Sequence, residues 1–361
     1  MYFSVEPKTR KKDLFDFDEE YEILKKCIEN GEEHIIVVSG LRRTGKTSLM
    51  KVVYNEINQP KLYIDSREIY PLTPASVNQH FITVLMDFVK EHNLIKAVLD
   101  HVKAIELMVR IEAKERENVL SAVLKTVNAE MEKRKTHATI FIDEAQILKP
   151  TGFDRMIAYI YDNLKHIQVV IAGSEIGLLE EFVGKEKDAP LYGRARKLIT
   201  LNRLASEKSI LFLRQGFKQA GRKISEEELN KIVNEIDGII GWLAMYGWYS
   251  LRMDSKKALN TVLKEGSKIV AGEVDAFLQY RVGARLRYLA ILKSLNIRPM
   301  RWSEIKKAVE IEEKKKINDS HIANYIENLV DYGFIEKEED YYKLTDPLIR
   351  NSLNLVLTKG I

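Results

Sequence analysis

Ser39-Gly40-Leu41-Arg42-Arg43-Thr44-Gly45-Lys46-Thr47-Ser48 satisfies G-x-x-x-x-G-K-[ST] at every fixed position. The run before it, His34-Ile35-Ile36-Val37-Val38, is apolar, and the run after it, Leu49-Met50-Lys51-Val52-Val53-Tyr54, favours a helix. A strand that passes through such a loop into a helix predicts a phosphate-binding turn. Its glycines let the backbone curl so that successive N–H groups face an anion, and the helix N-terminus adds its positive end. Lys46 is then expected to reach the β- and γ-phosphates and Thr47 to place its hydroxyl on Mg²⁺. Gly40, Arg42, Arg43, Thr44, Gly45 and Ser48 complete the expected cradle, and a nucleoside triphosphate is the expected ligand.

The 361 residues are enough for two or three domains, each with its own core. With 45% hydrophobic and 30% charged residues the composition is that of a soluble globular chain. No apolar stretch approaches a membrane span, and Met1-Tyr2-Phe3-Ser4-Val5-Glu6-Pro7 contains no apolar signal core, so no membrane partner is expected and the cytoplasm is the expected compartment. A single cysteine, Cys27, excludes an internal disulfide and a thiolate metal cluster. The seven histidines are scattered without ligand spacing. A net charge of +4 does not advertise nucleic-acid binding.

Working outward from the loop, residues 13–31 read as an amphipathic helix with Leu14, Phe15, Phe17, Tyr21, Leu24 and Ile28 on one face. Lys61-Leu62-Tyr63-Ile64-Asp65 reads as a strand and residues 74–93 as a helix. Residues 97–134 read as a solvated helical insertion packed on one face, one helix carrying Val98, His101, Val102, Ile105, Leu107 and Met108, another Val119, Val123, Leu124, Val127 and Met131. Ala138–Ile142, Gln168–Gly173 and Lys197–Leu201 are further strands, with a helix at 152–165 between the first two. Strands alternating with helices predict an α/β fold with a mostly parallel, three-layer sheet over 1–205. Helices at 206–220, 225–236, 241–251 and 255–263 predict a small helical domain over 206–283. From 284 to 361, three helices and a β-hairpin give the order of a winged helix.

Asp143-Glu144 ends the strand that follows the loop by about a hundred residues, the placing of a Walker B pair. Asp143 is expected to hold Mg²⁺, which takes few carboxylates, and Glu144 to orient the attacking water. Ser174, after the next strand, is expected beside the γ-phosphate; capping the helix from Glu175 is its plainer role. Arg194 and Arg196, in Pro190-Leu191-Tyr192-Gly193-Arg194-Ala195-Arg196, are candidates to neutralise the transferred phosphoryl group, in cis or from a neighbouring subunit. Surface ion pairing is the alternative for both, and ion pairing beneath the loop is the alternative for Arg42 and Arg43.

The loop Gly40–Ser48, the tetrad Asp143-Glu144-Ala145-Gln146, Gly173-Ser174-Glu175 and Pro190-Leu191-Tyr192-Gly193-Arg194 together resemble the archaeal ATPase family. This is an AAA+-like group close to the STAND signalling ATPases and akin to archaeal replication initiators. The resemblance covers nearly the whole chain. It implies an ATP- and ADP-binding, Mg²⁺-dependent ATPase with an AAA+-like P-loop core, sheet order 5-1-4-3-2, a helical lid and a C-terminal winged helix. It further implies Arg194 as the finger and an adenine pocket lined by Leu14 and Phe15, with nucleotide-dependent homo-oligomers in prospect. Asp237-Gly238-Ile239-Ile240-Gly241-Trp242-Leu243 is similar to the family's G-x-P-G-x-L lid element, with Ile240 in place of proline. Arg252 is the nearest candidate for a second, lid-borne sensor.

Double-stranded DNA through 284–361 and a protein partner are both candidates. Residues 285–361 hold 14 Lys and Arg against 12 Asp and Glu, a net of +2. The candidate recognition helix, Ser320-His321-Ile322-Ala323-Asn324-Tyr325-Ile326-Glu327-Asn328, carries no cation, whereas counterion release needs several. Lys306, Lys307, Lys314, Lys315 and Lys316 offer a basic patch beside it. The expectation is a DNA-associated ATPase; the alternatives are a regulatory switch whose winged helix binds protein, and a slow nucleotide binder.

Overall fold

Residues 1–99, 119–184 and 187–358 are described by a computed structural model. Five parallel strands form the central sheet: β1 (Ile35–Ser39), β2 (Lys61–Asp65), β3 (Ala138–Asp143), β4 (Ile167–Gly173) and β5 (Lys197–Thr200). Their order, β2-β3-β4-β1-β5, is the one the family resemblance implies. Register sets the site: Ser39 lies beside Gly173 and Thr200, and Asp65 beside Asp143. The loop, the acidic pair and Ser174 therefore leave the sheet along one carboxyl edge, where open α/β sheets bind their ligands.

Alternation along each strand divides the core. Ile36, Val38, Phe141 and Val170 face α1 (Asp18–Asn30) and α2 (Lys46–Glu56). Ile35, Val37, Ile140 and Ile171 face the opposite layer, built from α3 (Pro74–Glu91), α4 (Val119–Lys133) and α5 (Asp154–Asn163). The short α6 (Ile176–Phe182) follows β4.

Beyond the sheet come α7 (Ser206–Gln219), α8 (Glu226–Ile236), α9 (Ile240–Ser250) and α10 (Ser255–Gln279). A reciprocal capping box of Ser225 and Glu228 starts α8. The winged helix follows as α11 (Arg285–Ile297), β6 (Met300–Arg301), α12 (Trp302–Glu313), α13 (Asp319–Asp331), β7 (Ile335–Glu338) and β8 (Tyr341–Leu344), its sheet ordered β6-β8-β7. A last helix, α14 (Ile349–Thr358), returns to pack on α10. Trp242, Val270 and Val274 of the helical region thus share one hydrophobic cluster with Leu348, Leu353 and Val356. Among the described residues no helix is long and apolar enough to cross a membrane.

Two expectations change. Residues 14–17 are not helical: Asp16 takes a left-handed φ of 60°, and α1 starts only at Asp18. Leu14, Phe15 and Phe17 instead form an irregular arm whose two buried rings enter different cores, Phe15 that of the helical region and Phe17 that of the sheet. The helix expected at 255–263 runs on to Gln279, because Val270, Ala271, Val274, Phe277 and Leu278 continue its buried apolar face, and Gly266 lets it pass close under Leu348 and Trp242. The second helix of the insertion, α4, packs by the face expected, burying Val123, Leu124, Val127 and Met131 in the sheet's core; only Val119 of that face is exposed. His101, Val102, Ile105, Leu107 and Met108 lie outside the described residues.

Candidate functional site

The loop after β1 is shaped by two positive φ angles at glycine, 149° at Gly40 and 102° at Gly45, a region that side chains disfavour. At Gly40 a Cβ would also collide with the carbonyl of Leu201. α2 then begins at Lys46 with no side chain capping its first N–H groups, which are left as anion donors. The Lys46 ammonium folds back to donate to the carbonyls of Gly40 (2.8 Å) and Leu41 (2.6 Å). Burial lowers its pKa to about 8, against the opposing pull of Glu144 and Asp143. Thr44 closes the turn by donating to the same Leu41 carbonyl at 2.9 Å.

Thr47 Oγ1 donates to Asp143 Oδ2 at 2.8 Å, and the Tyr63 hydroxyl donates to the same oxygen at 3.0 Å. Burial pushes the Asp143 carboxyl up, while these two hydroxyls pull it back. A hydroxyl and a carboxylate side by side are hard oxygen donors of the kind Mg²⁺ accepts, one or two from protein and the rest from phosphate and water. Glu144 has a left-handed φ of 51°. Its Oε2 accepts from Gln146 Nε2 (2.7 Å), Ser174 Oγ (2.9 Å) and the Ser174 N–H (3.3 Å). Ser174 does not cap α6, whose N-cap is Glu175; its hydroxyl is spent on Glu144.

Lys46, Thr47, Glu144, Gln146 and Ser174 form the floor of a cavity of about 830 Å³, with Asp143 fully buried beneath Thr47. Its other half is apolar: Leu14, Phe15 and Phe17 face Phe212 of α7 and Met245 and Trp248 of α9. Phe15 meets Tyr2 and Phe212 edge-on, at centroid distances of 5.5 and 5.3 Å. Residues 2–8 complete this wall, a contribution with no sequence signal beyond the isolated Phe3, whose ring fills the space above Gly216 and Gly247. The Lys8 ammonium draws the strap into a loop by donating to the carbonyls of Tyr2 (2.8 Å), Met1 (3.1 Å) and Ser4 (3.2 Å). Its N–H donates to Ser48 Oγ at 3.0 Å, so Ser48 joins the strap to α2. Ile240, in the proline position, lines the cavity, and the Gly241 N–H donates to the Arg43 carbonyl at 3.0 Å.

Arg42 and Arg43 line the cavity too, but their charges are turned to carboxylates. Arg42 pairs with Glu175 and donates to the Tyr332 carbonyl, just past α13, at 2.8 Å. Arg43 pairs with Glu273 of α10 at 2.5 Å and lies 3.6 Å from Asp346 and 4.2 Å from the Trp242 ring centroid. The Trp242 indole in turn donates to Asp346 at 2.9 Å. Burial pushes the Asp346 carboxyl up, and Arg43 draws it down. Two arginines read as cradle residues thus tie the loop to the helical region and the winged helix. Glu175, Glu273 and Asp346 were not legible as their partners, being 133, 230 and about 300 residues away in the chain.

Arg194 is not brought to this cavity. Its guanidinium is bound to Asp162 of α5, with Nε to Oδ1 at 3.0 Å, and to the Pro190 carbonyl. Arg196 donates to the Val183 carbonyl at 2.9 Å. Arg252 stacks on Trp248 and donates to its carbonyl, and it is not among the residues lining the cavity. Arg67, in the turn after β2, does line the cavity; it donates through Nε to Asp65 at 2.8 Å. Nothing in the sequence singled it out.

In the winged helix, α13 buries Ile322, Ile326 and Leu329 and exposes Ser320, His321, Ala323, Asn324 and Glu327. Of the lysines beside it, Lys306 pairs with Asp319 and Glu310, and Lys315 with Glu313. The far end of α13 is docked: Asp331 packs directly on Gly177 of α6, where a Cβ would collide with it.

Residues 14–246 match the family described as an ATPase domain predominantly from Archaea. Residues 283–345 match the C-terminal winged helix-turn-helix domain of MCM proteins. Among solved structures the chain is similar to the Walker-type ATPase of Pyrococcus abyssi, at 27% identity and a TM-score of 0.79 over 98% of this chain and 100% of that one. It is also similar to the ORC2 protein of Aeropyrum pernix, solved as ADPNP–ADP complexes, at 12% identity and a TM-score of 0.60 over 99% and 97% of the two chains. That second likeness is one of fold. No protein of curated function matches. With the loop, the acidic pair, the sheet order and the winged helix all in place, the chain belongs to the family of ATPase domains found predominantly in Archaea.

Proposed function

We propose that the chain is an AAA+-like switch that binds ATP, hydrolyses it with Mg²⁺, and uses the nucleotide state to reposition its helical region and winged helix. The observation that carries this reading is the coincidence, in one cavity, of a floor of Lys46, Thr47 and Glu144, with Asp143 bonded to Thr47 beneath it, and loop arginines pinned by Glu273 and Asp346. Phosphoryl transfer asks the protein for positioning and charge neutralisation rather than covalent chemistry. Lys46 exchanges two carbonyls for phosphate oxygens. Thr47 and Asp143 would hold Mg²⁺, which would supply positive charge to neutralise the phosphates. Glu144, with no protein donor on Oε1 among the described residues, orients the attacking water, and Ser174 steadies it. Leu14 and Phe15 receive the adenine.

The working division is a core over 1–205, a lid over 206–283 and a winged helix over 284–361. Incoming phosphate competes with Glu175, Glu273 and Asp346 for Arg42 and Arg43, so the triphosphate state loosens what these ion pairs hold closed. Arg194, bound to Asp162 away from its own cavity, acts on a neighbouring subunit in a nucleotide-dependent homo-oligomer.

Duplex DNA is the ligand that the winged-helix fold favours. A protein ligand is the second reading, favoured by the cation-free outer face of α13 and the acid-paired Lys306 and Lys315. Duplex binding by the full chain across a salt series separates them, since α14 packs on α10 and the winged helix should not be tested alone. Affinity that falls with salt supports DNA; no binding at low salt supports protein. For hydrolysis itself, Glu144→Gln should retain ATP and lose turnover, and unchanged turnover overturns the assignment.

A further inference from the structure

We propose that Gln146 is a positioning residue for hydrolysis: its side-chain amide holds the Glu144 carboxylate in its working orientation, and Gly173 is the slot that admits it. The proposal rests on the hydrolytic reading above and adds a residue that reading does not need.

Gln146 lies in the 3-10 turn Ala145–Thr151 that follows β3, and only 5% of it is exposed. Its Nε2 donates to Glu144 Oε2 at 2.7 Å. Its Oε1 sits over the α-carbon of Gly173, where the Cβ of any other residue would collide with it. That oxygen is buried with no hydrogen-bond partner among the described residues. Leaving a buried amide oxygen unpaired costs stability, so the packing is not explained by stability alone.

The arrangement has a consequence for Glu144. Its backbone is in the left-handed region, which a residue with a long side chain seldom adopts and which requires support from its surroundings. All three recorded donors converge on Oε2, leaving Oε1 as the oxygen without a protein donor. Two of the three come from Ser174 alone, on the neighbouring strand's end. Gln146 supplies the other point of support, two residues along the same chain, and a carboxylate gripped from two directions cannot swing. Only a neutral donor of this length serves: glutamate would repel the carboxylate, lysine would pair with it, and asparagine is too short to span both Gly173 and Glu144.

The test is steady-state hydrolysis of Mg·ATP by the full chain, with ADP binding measured separately. Gln146→Glu keeps length and volume but removes the donor, and Gln146→Met fills the slot with neither donor nor charge. Each should lower kcat by about 10²-fold, the scale of a small misplacement at a reacting centre. KM for ATP and Kd for ADP should stay at wild-type values in both, and Tm in Gln146→Met; Gln146→Glu, which buries a second carboxylate beside Glu144, should lower Tm. Gly173→Ala, which pushes the amide aside, should have the same effect, and the double variant Gly173→Ala/Gln146→Glu should fall no further than either alone. Wild-type kcat in Gln146→Glu and Gln146→Met overturns the proposal, as does a loss of ADP affinity parallel to the loss of kcat. Glu144→Gln, run alongside, keeps the two claims apart. If Glu144→Gln is inactive while the Gln146 variants turn over normally, only the Gln146 role fails. If Glu144→Gln turns over normally, the hydrolytic reading fails as well.

Discussion

Removing the Arg43 guanidinium should open the contact between the phosphate loop and the helical region without unfolding either. Arg43, Glu273 and Asp346 have side chains only 18%, 26% and 12% exposed. Deleting one partner of a buried ion pair leaves an uncompensated charge, at a cost of about 3–5 kcal/mol. Glu273 keeps Arg42 at 3.9 Å, so the lower end applies, about 3 kcal/mol. At 1.4 kcal/mol per factor of ten this is about a 10²-fold rise in the open population. The reporter is the Gly241 amide, which sits in the first turn of α9 and whose recorded acceptor is the Arg43 carbonyl, across the contact. Its hydrogen exchange in Arg43→Ala should accelerate by about that factor, while amides in β1 and β4 keep their protection. Glu273→Ala should accelerate it less, because Arg43 retains Asp346. Gly241 exchange at the wild-type rate in Arg43→Ala would refute the clamp.

Two other outcomes follow from the same contacts. Burial lowers the Lys46 pKa to about 8; below that pH the ammonium is already charged, and above it nucleotide binding must take up a proton, so affinity should be flat to about pH 8 and then fall by up to tenfold per pH unit. Lys8 is also lowered to about 8 by burial, so calorimetry on Lys8→Met decides the source: a retained slope assigns it to Lys46, and a lost slope contradicts that. If Arg194 works in trans, mixing Arg194→Ala with Lys46→Ala chains should give more ATPase activity than the two measured apart; strict additivity contradicts a trans role.

Much of the site was legible because it is local. The loop, Asp143-Glu144 and Ser174 each follow directly from a strand end, and parallel register brings strand ends together wherever the intervening helices lie. The apolar runs of β1, β3 and β4, buried along their whole length, were equally readable. What was missed is non-local. Nothing in Leu14-Phe15-Asp16-Phe17 announces that Asp16 turns left-handed and sends Phe15 and Phe17 into different cores. Gly266 reads as a weak point in a helix until Leu348 and Trp242 are seen against it. The partners of Arg42 and Arg43 come from α6, α10 and the winged helix, and only the folded chain brings them to the loop. Gln146 was visible inside the acidic tetrad, but its task depends on Gly173 one strand away.

Spin labels at Asp87 in α3 and Glu339 in the β7–β8 turn, with Cys27 replaced by serine, would report the distance between core and winged helix directly. Measured in Glu144→Gln, which holds ATP without consuming it, the distance distribution should differ between the empty or ADP-bound and the ATP-bound states. One unchanged distribution in all three states would contradict the account of a nucleotide-driven switch.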